Sequence, residues 1–362
     1  MPNVYGALRL ADTDYIYTAT PGQRVIWDAV QAFIAEQNAA LNAVTAVFVE
    51  RSTEDYTQRY KLPGGGMLQR RGGLTQSAAT KYNAGWDVSF PIEEYGDQIA
   101  GDEVSMAYMR AGDLARHIET VTIRNTNTVR WELLRALFGN AARTWADPYG
   151  TTADLTIQPL ANGDSVTYPP IAGATDGATE DHYLVAGYAT ASISDSNDPV
   201  AGIAVPELEQ HFGMQTGGSP IAVFMGTTMR NKIEGLAAVV DVPDRYISPG
   251  DDTATPTMTP AALPGRTFGR HTKGAWLQEW PGIPDDYLLA IHLEAAPPLL
   301  RRRDPQATGL PEGLALVSND TEYPFRAAHW RHRFGFGVGN RLNGVIIQCK
   351  ASGNYDIPTA YA

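Results

Sequence analysis

The most informative stretch of the chain is Phe334-Gly335-Phe336-Gly337-Val338-Gly339-Asn340-Arg341-Leu342-Asn343-Gly344-Val345-Ile346-Ile347. Glycines alternate with larger apolar residues in its first half, and an Asn-Arg pair leads towards an apolar run in its second half. The closely spaced glycines follow no strand–helix–strand pattern, so they do not indicate a dinucleotide site. Glycine inside a strand is typical of a place where another backbone approaches closely. We therefore expect a close-packed strand crossing here, followed by a final strand at 344–349.

Apolar runs upstream of this stretch predict further strands and short helices. Helices and strands alternate between residues 190 and 320, so we expect a compact α/β region there, with an exposed proline-rich loop at 249–265. The predicted strands are 44–48, 184–191, 221–226, 276–280, 287–293, 314–317 and 327–336, a hairpin with a tight turn is predicted over 156–168, and short helices are predicted from 206 and over 229–236.

The first third of the chain contains two long helical patterns. Apolar residues recur at helical spacing over 23–40 and again over 102–138. Asp102 and Glu103 favour a helix start at that point, because acidic side chains are stabilised at the positive end of a helix. A polar interval at 122–128 weakens the second pattern, which leaves open one long helix with a bend or two helices in tandem.

A glycine-rich excursion over residues 56–95 separates the two helical patterns. Apolar residues, Trp86 and Phe90 among them, alternate with polar ones in its second half, which predicts a strand with one apolar face. Loops of this length are mostly functional or disordered. Few helical neighbours in sequence are available to cover the apolar face, so we expect a neighbouring subunit to bury it, with Trp86 and Phe90 as contacts.

Two arginine runs are further candidate contacts. Arg70 and Arg71 lie in the excursion and are expected to meet acidic groups of an adjacent subunit. Arg301, Arg302 and Arg303 precede an Asp-Pro pair, where they form either a solvated turn or a contact with an acidic neighbour or nucleic acid. The sequence leaves these two alternatives equal in weight.

The formal net charge of −12 is unevenly distributed. Residues 171–260 hold twelve Asp or Glu against three Lys or Arg, whereas residues 261–350 hold eleven Lys or Arg against eight Asp or Glu. A dedicated nucleic-acid binder is usually basic, so sequence-specific binding is disfavoured. Segments of opposite charge suit a protein that meets its own copies or presents two different faces, and a solvated acidic surface is an alternative of equal weight. No apolar run is long enough to span a membrane, so no membrane partner is expected.

Enzyme signatures are mostly absent from the sequence. There is no phosphate-binding loop and no Gly-x-Ser-x-Gly motif. His329 and His332 lie in a predicted strand and point to opposite faces, which disfavours a metal site there. Asp181-His182 matches half of an acid–base pair, but a loop edge is favoured. The sequence therefore predicts no catalytic residue, no cofactor and no metal.

The order of these elements resembles that of tailed-bacteriophage major capsid proteins, and the quoted stretch is similar to their last strands. The resemblance implies an α+β, HK97-like capsid fold with an N-arm, an extended β-hairpin E-loop, a peripheral domain with a long spine helix and a compact axial α/β domain. No long helical leader precedes the arm, so a scaffold is expected to be separate or already removed. The implied segments are 1–50 (arm and first helix), 51–100 (E-loop), 101–185 (peripheral domain), 186–324 (axial domain) and 325–362 (return strands).

By the same resemblance, the chain is expected to form hexamers and pentamers of an icosahedral head that encloses double-stranded DNA. The implied partners are copies of the chain, with scaffold, portal and decoration proteins, and packaged DNA contacted without sequence specificity. The implied location is the virion capsid, assembled in the host cytoplasm. Two alternatives stay open: an encapsulin-like compartment shell, and a hydrolase that uses an acidic pair such as Asp285-Asp286.

Overall fold

A computed structural model describes residues 23–61, 73, 85–102, 105, 108–148, 154–168, 178–212, 220–241, 263–320 and 325–362. The described part mixes helices and strands, so the predicted α+β class is confirmed. The helices are α1 (Gln23–Thr45), α2 (Ala111–Phe138), α3 (Val205–Phe212) and α4 (Thr227–Ile233). The strands are β1 (Val49–Thr53), β2 (Thr57–Lys61), β3 (Gly85–Ser89), β4 (Glu93–Asp102), β5 (Arg143–Trp145), β6 (Leu155–Ile157), β7 (Tyr183–Val185), β8 (Ile221–Met225), β9 (Val239–Asp241), β10 (Arg266–His271), β11 (Ala275–Glu279), β12 (Tyr287–His292), β13 (Leu299–Arg302), β14 (Ala315–Asp320), β15 (Phe325–Val338) and β16 (Val345–Gln348).

Backbone contacts divide the chain into two units. The first unit comprises residues 1–45, 92–132 and 302–335, and the second comprises residues 46–91, 133–301 and 336–362. Outside the described residues lie the part of the predicted arm before residue 23, residues 62–84 of the predicted excursion except Gly73, and most of the predicted loop at 249–265. The five-segment division stays a prediction.

The first unit is built on α1, on α2 and on the strands β4, β14 and β15. Residues 325–334 of β15 pair antiparallel with β4, and residues 327–331 also pair with β14. Buried apolar side chains from both helices and from β15 form one cluster in this unit, which confirms the helical pattern of 23–40. The buried members of this cluster are Val30, Ile34, Ile118, Val121, Leu314 and Trp330.

Helix α2 is a single helix of 28 residues, about 42 Å long at ~1.5 Å per residue. Of the two alternatives left open, one long helix is therefore correct. The predicted start at 102 is wrong, because Asp102 ends β4 and pairs with Phe325. The acidic residue in the first turn is Asp113 instead.

Threonine hydroxyls allow the polar interval of α2 to remain helical. Those of Thr122, Thr126 and Thr128 each donate to the carbonyl four residues earlier, at 2.9–3.0 Å. Such back-bonding satisfies the hydroxyl within the helix, although threonine has a modest helix propensity. The weak apolar pattern at 122–128 thus marks polar side chains on a continuous helix, and not a break.

The second unit contains a seven-stranded sheet in the order β7-β16-β12-β8-β11-β10-β9. Strand β8 lies parallel to β11 and antiparallel to β12, and β7 lies parallel to β16. Every residue of β8 and of β12 is buried, which explains why both strands read as continuous apolar runs. Helices α3 and α4 pack their apolar residues, including Leu208 and Met229, against this sheet.

Two further local predictions are wrong, and two strands were missed. Residues 44–48 form the end of α1 and a turn, because the alanine-rich segment before them favours continued helix. The hairpin over 156–168 does not form: β6 pairs with β5, and Asn162 bridges to Asp181. The turn itself is present, since Gly163 adopts a φ of 71°. Strands β10 and β13 carry no clear period and were not predicted.

Candidate functional site

The aromatic-glycine run ends in the close crossing that the sequence predicts. A Cβ added at Gly337 would lie 2.6 Å from Phe90 Cδ1 and 2.9 Å from the carbonyl oxygen of Ser89. One added at Gly339 would lie 2.4 Å from Leu300 Cδ1. These separations are shorter than any normal carbon contact, so both positions need glycine for packing.

We expect Gly337→Ala to lower the free energy of unfolding by about 1–3 kcal/mol, because the added methyl group has no space between Phe90 and the β3 backbone. The measurement is urea unfolding of the full chain. Gly202→Ala is the matched control, because an added Cβ meets nothing within 4 Å there. Equal midpoints for the two variants would contradict the packing argument.

The apolar face of the excursion is buried within the chain itself. Val88 and Phe90 are fully buried and pack with Leu300, which is also buried. The prediction that Phe90 contacts a neighbouring subunit is therefore wrong, because β13 already covers it. Trp86 is half-buried and stacks on Tyr60 with ring centroids 5.4 Å apart. Its role as a subunit contact stays a prediction.

The arginine run Arg301–Arg303 is not a solvated turn. Arg301 and Arg302 lie in β13, and only 6% of Arg301 is exposed. Arg303 is half-buried, and its Nη1 lies 3.0 Å from Glu312 Oε2. The apolar residues Leu299 and Leu300 form the first half of β13, and the strand continues through Arg301 and Arg302. Arg70 and Arg71 lie outside the described residues.

The Asn-Arg pair of the quoted stretch leads to a fully buried guanidinium. Arg341 Nε donates to the carbonyl of Pro159 at 2.8 Å, and Nη2 donates at 3.1 Å to the carbonyl of Leu160 and also to Asn162 Oδ1. Nη1 lies 2.8 Å from Asp164 Oδ2. The guanidinium carbon lies 5.9 Å from the centre of the Trp86 ring, which is a cation–π distance.

Asn340 and Asn343, which lie close to Arg341 in the sequence, also form hydrogen bonds to backbone groups of another segment. Asn343 is fully buried, its Nδ2 donates to the carbonyl of His292 at 3.0 Å, and its Oδ1 accepts the His292 N–H at 2.9 Å. Asn340 donates to the carbonyl of Ala296 at 2.8 Å. The polar half of the quoted stretch therefore satisfies the buried backbone of two other segments. The Asn-Arg pattern can be seen in the sequence, but the backbone groups that these side chains bond cannot be predicted from it.

A histidine–carboxylate cluster was not predicted from the sequence. His182 is fully buried, and its Nε2 lies 3.3 Å from Nε2 of His211. Glu207 completes a group whose ligand atoms all lie within 4.8 Å of one another. Burial, together with the His211 ring, lowers the pKa of His182 to about 4, and burial lowers that of His211 to about 4. The signal that could have found it is the i, i+4 spacing of Glu207 and His211 on a predicted helix.

The other residues considered for chemistry have structural partners. His332 is buried and its Nδ1 lies 2.5 Å from Asn125 Oδ1, whereas His329 is half-buried. Asp286, half of the acidic pair considered for a hydrolase, accepts a hydrogen bond from the hydroxyl of Thr190 at 2.7 Å. Asp181 accepts the N–H of Tyr183 at 3.0 Å and lies just before β7.

Comparison with known proteins identifies the fold. No protein-family model and no curated protein matches the sequence. A structure of Mycobacterium phage Patience matches 96% of this chain and 94% of that chain, with a TM-score of 0.66 and 18% sequence identity. The chain has an HK97-like capsid fold. The predicted α+β, HK97-like fold is therefore confirmed, whereas its named parts stay predictions.

Two weaker matches accompany this HK97-like fold. The capsid of cyanophage P-SCSP1u is 12% identical, with a TM-score of 0.47 over 84% of this chain and 87% of that chain. A virus-like particle from Pyrococcus furiosus is 8% identical, with a TM-score of 0.40 over 87% of this chain and 99% of that chain.

Among the described helices of the HK97-like chain, none combines the length and the apolar character needed to cross a bilayer.

Proposed function

We propose that this chain is a major capsid protein that assembles into hexamers and pentamers of an icosahedral phage head. The observation that carries the proposal is the fold match, which spans almost the whole of both chains. A match of that extent leaves little of the chain for an added enzymatic domain. The proposed role is therefore structural, in the virion capsid, after assembly in the host cytoplasm.

Contacts between copies are proposed to come from extended parts of the chain. In this proposal β2 and β3 form the base of the E-loop, α2 is the spine helix, and the unit with the seven-stranded sheet contains the axial domain. Trp86 and Arg302 are half-buried at the loop base and in β13, and Arg70 and Arg71 lie between β2 and β3 in the sequence. Reaching segments are proposed because a stable interface needs a large buried area, and extended segments add area to it.

We also propose partners other than copies of the chain. The net charge of −12 disfavours tight, specific DNA binding, so packaged double-stranded DNA is proposed to be contacted without sequence specificity. Scaffold, portal and decoration proteins are proposed as further partners. On α2, Ile123 is 54% exposed and Trp131 is 38% exposed, which offers apolar surface for such contacts.

Assembly tests the proposal directly. We expect the purified chain, alone or with a scaffold protein encoded beside it, to form closed shells, tubes or rings of five or six in negative-stain electron microscopy. We expect Arg70→Glu combined with Arg71→Glu to prevent this assembly, because the reversed charges would repel acidic groups of the neighbour. The measurement is the fraction of protein in particles after sedimentation.

Arg266→Glu combined with Lys273→Glu is the control for this experiment, because it changes the net charge equally at exposed positions outside the excursion. Small discrete particles with and without the scaffold would contradict the capsid function. Normal assembly of the Arg70 and Arg71 variant would contradict only the proposed contact. Protein-filled instead of DNA-filled particles in the producing cells would favour the compartment shell.

A further inference from the structure

The spacing of His182, Glu207 and His211 matches that of metal ligands. One ligand atom of each residue lies within 4.8 Å of the others. The two Nε2 atoms are 3.3 Å apart. A tetrahedral zinc ion, with Zn–N distances of about 2.0–2.1 Å, separates two nitrogen ligands by about 3.3–3.4 Å. The histidine pair therefore has the separation that a shared zinc ion would impose.

His182, the most deeply buried residue of the cluster, is oriented so that the lone pair of its Nε2 faces His211. His182 Nδ1 lies 2.8 Å from the carbonyl oxygen of Gly344, which can only accept, so Nδ1 carries the proton. Nε2 of the neutral ring is then an acceptor directed at His211. Zinc-binding histidines characteristically donate their other ring N–H in this way. Gln210 Nε2 similarly donates to Glu207 Oε1 at 2.7 Å and orients that carboxylate.

The backbone holds the three ligands on regular elements. Glu207 and His211 are four residues apart on α3, so both project from one face of the helix. His182 directly precedes β7, where its N–H donates to Ala161 and its carbonyl accepts from Ile346, both at 2.8 Å. Ligands on helices and strands keep their geometry better than ligands on loops.

The local charge favours a cation. Among the described residues, no Lys or Arg forms an ion pair with Glu180, Asp181 or Glu207. Two of these acidic residues, Glu180 and Asp181, directly precede His182 in the chain. Arg341, the cation that acts on His182, is itself paired with Asp164.

We propose that His182, Glu207 and His211 bind a zinc ion, with a fourth position open to water. Two imidazole nitrogens and one carboxylate suit zinc better than magnesium or calcium, which prefer oxygen ligands. The ion would connect α3 to the start of β7, and it would stabilise the folded chain because it binds that state alone. The site does not depend on the proposed capsid function.

Zinc titration of the metal-stripped, untagged full chain tests the site. In isothermal titration calorimetry with excess Mg²⁺ to saturate oxygen-only surface sites, we expect about one zinc ion per chain. His211→Ala and Glu207→Gln are expected to lose this binding. Glu209→Gln is the matched control, because Glu209 is exposed on the same helix and the substitution removes the same charge. Zinc is also expected to raise the melting temperature of wild type and control, and of neither ligand variant.

A second measurement uses the wild-type chain alone, so it does not depend on variants that fold. Cobalt(II) in place of zinc is expected to give the intense visible bands of tetrahedral coordination. A weak octahedral spectrum, zinc binding unchanged by His211→Ala, or no binding by wild type would each overturn the proposal. In those cases the two histidines form a hydrogen-bonded pair without a metal.

Discussion

Arg341→Met is expected to lower the free energy of unfolding by about 3–5 kcal/mol, because the substitution removes a fully buried guanidinium that donates to two backbone carbonyls and pairs with the partly exposed Asp164. The guanidinium is fully buried and contacts the carbonyls of Pro159 and Leu160, the side chain of Asn162 and the carboxylate of Asp164. Methionine fills a similar volume but donates no hydrogen bond, so these acceptors lose their donor. The measurement is urea unfolding of the full chain, followed by tryptophan fluorescence.

Two further variants separate the charge from the geometry. Arg341→Lys keeps the charge but not the planar fork, so we expect an intermediate loss. Arg341→Met combined with Asp164→Leu is expected to recover only part of the stability, since the carbonyls of Pro159 and Leu160 remain without a donor. An unfolding midpoint of Arg341→Met equal to that of wild type would contradict the argument.

Arg59→Met is the matched control for the same substitution at the surface. Arg59 forms two hydrogen bonds to Asp87, at 2.6 and 2.7 Å, yet its side chain is 70% exposed. Water replaces such contacts at little cost, so the midpoint is expected to stay close to that of wild type. The comparison therefore measures what burial adds to an arginine–carboxylate pair.

Arg341 also contacts the base of the excursion over residues 56–95. Its guanidinium lies against Trp86, which stacks on Tyr60 and lies 5.7 Å from the ring of Tyr168. These contacts hold β2 and β3 against the segment that contains Pro159 to Asp164. The quoted stretch at 334–347 therefore anchors the base of the predicted E-loop, although it lies about 250 residues away in the sequence.

Elements with strong apolar periodicity were predicted well from the sequence. Helix α1, strand β15 and the fully buried β8 and β12 each bury a continuous face, so their patterns reflect their packing. The close crossing at Gly337 was also predictable, because glycine weakens a strand interior and is found there mainly where a neighbouring backbone or side chain leaves no space for a Cβ. The order of the elements carried the resemblance, and the fold match agrees with it.

The errors arose where a local pattern has a distant partner. The stripe containing Phe90 was expected to need another subunit, but Leu300 covers it from 210 positions further along the chain. For the arginines of β13, a solvated turn stayed open beside a contact with an acidic neighbour or nucleic acid, because the sequence does not show that β13 is a strand. His182 and His211 meet only because β7 pairs with β16 and α3 packs on the same sheet. No short-range signal reports such pairings.

Asp198 gives the second large expected effect. Its Oδ1 accepts the N–H groups of Val200 and Ala201, at 2.9 and 3.3 Å, at the start of the helical segment that leads into α3. Its Oδ2 lies 2.8 Å from Nε2 of His271, whose side chain is 1% exposed. Asp198→Ala removes a helix cap and a buried ring partner together, so we expect a loss of about 3 kcal/mol in urea unfolding at pH 6.

Asp198→Asn separates the cap from the charge, because asparagine still accepts from the helix N–H groups. Burial alone would raise the pKa of Asp198, but the hydrogen bond from His271 and those from Val200 and Ala201 outweigh it and lower the pKa below its usual value. A carboxylate with a lowered pKa in the folded state stabilises the fold above its unfolded pKa, about 4, and this contribution is lost as the pH falls through the folded value. The stability difference between wild type and Asp198→Asn is therefore expected to be full at pH 6 and to shrink below pH ~4. A difference that stays constant from pH 6 to pH ~2.5 would show that the charge of Asp198 contributes nothing, and that the cap accounts for its whole effect.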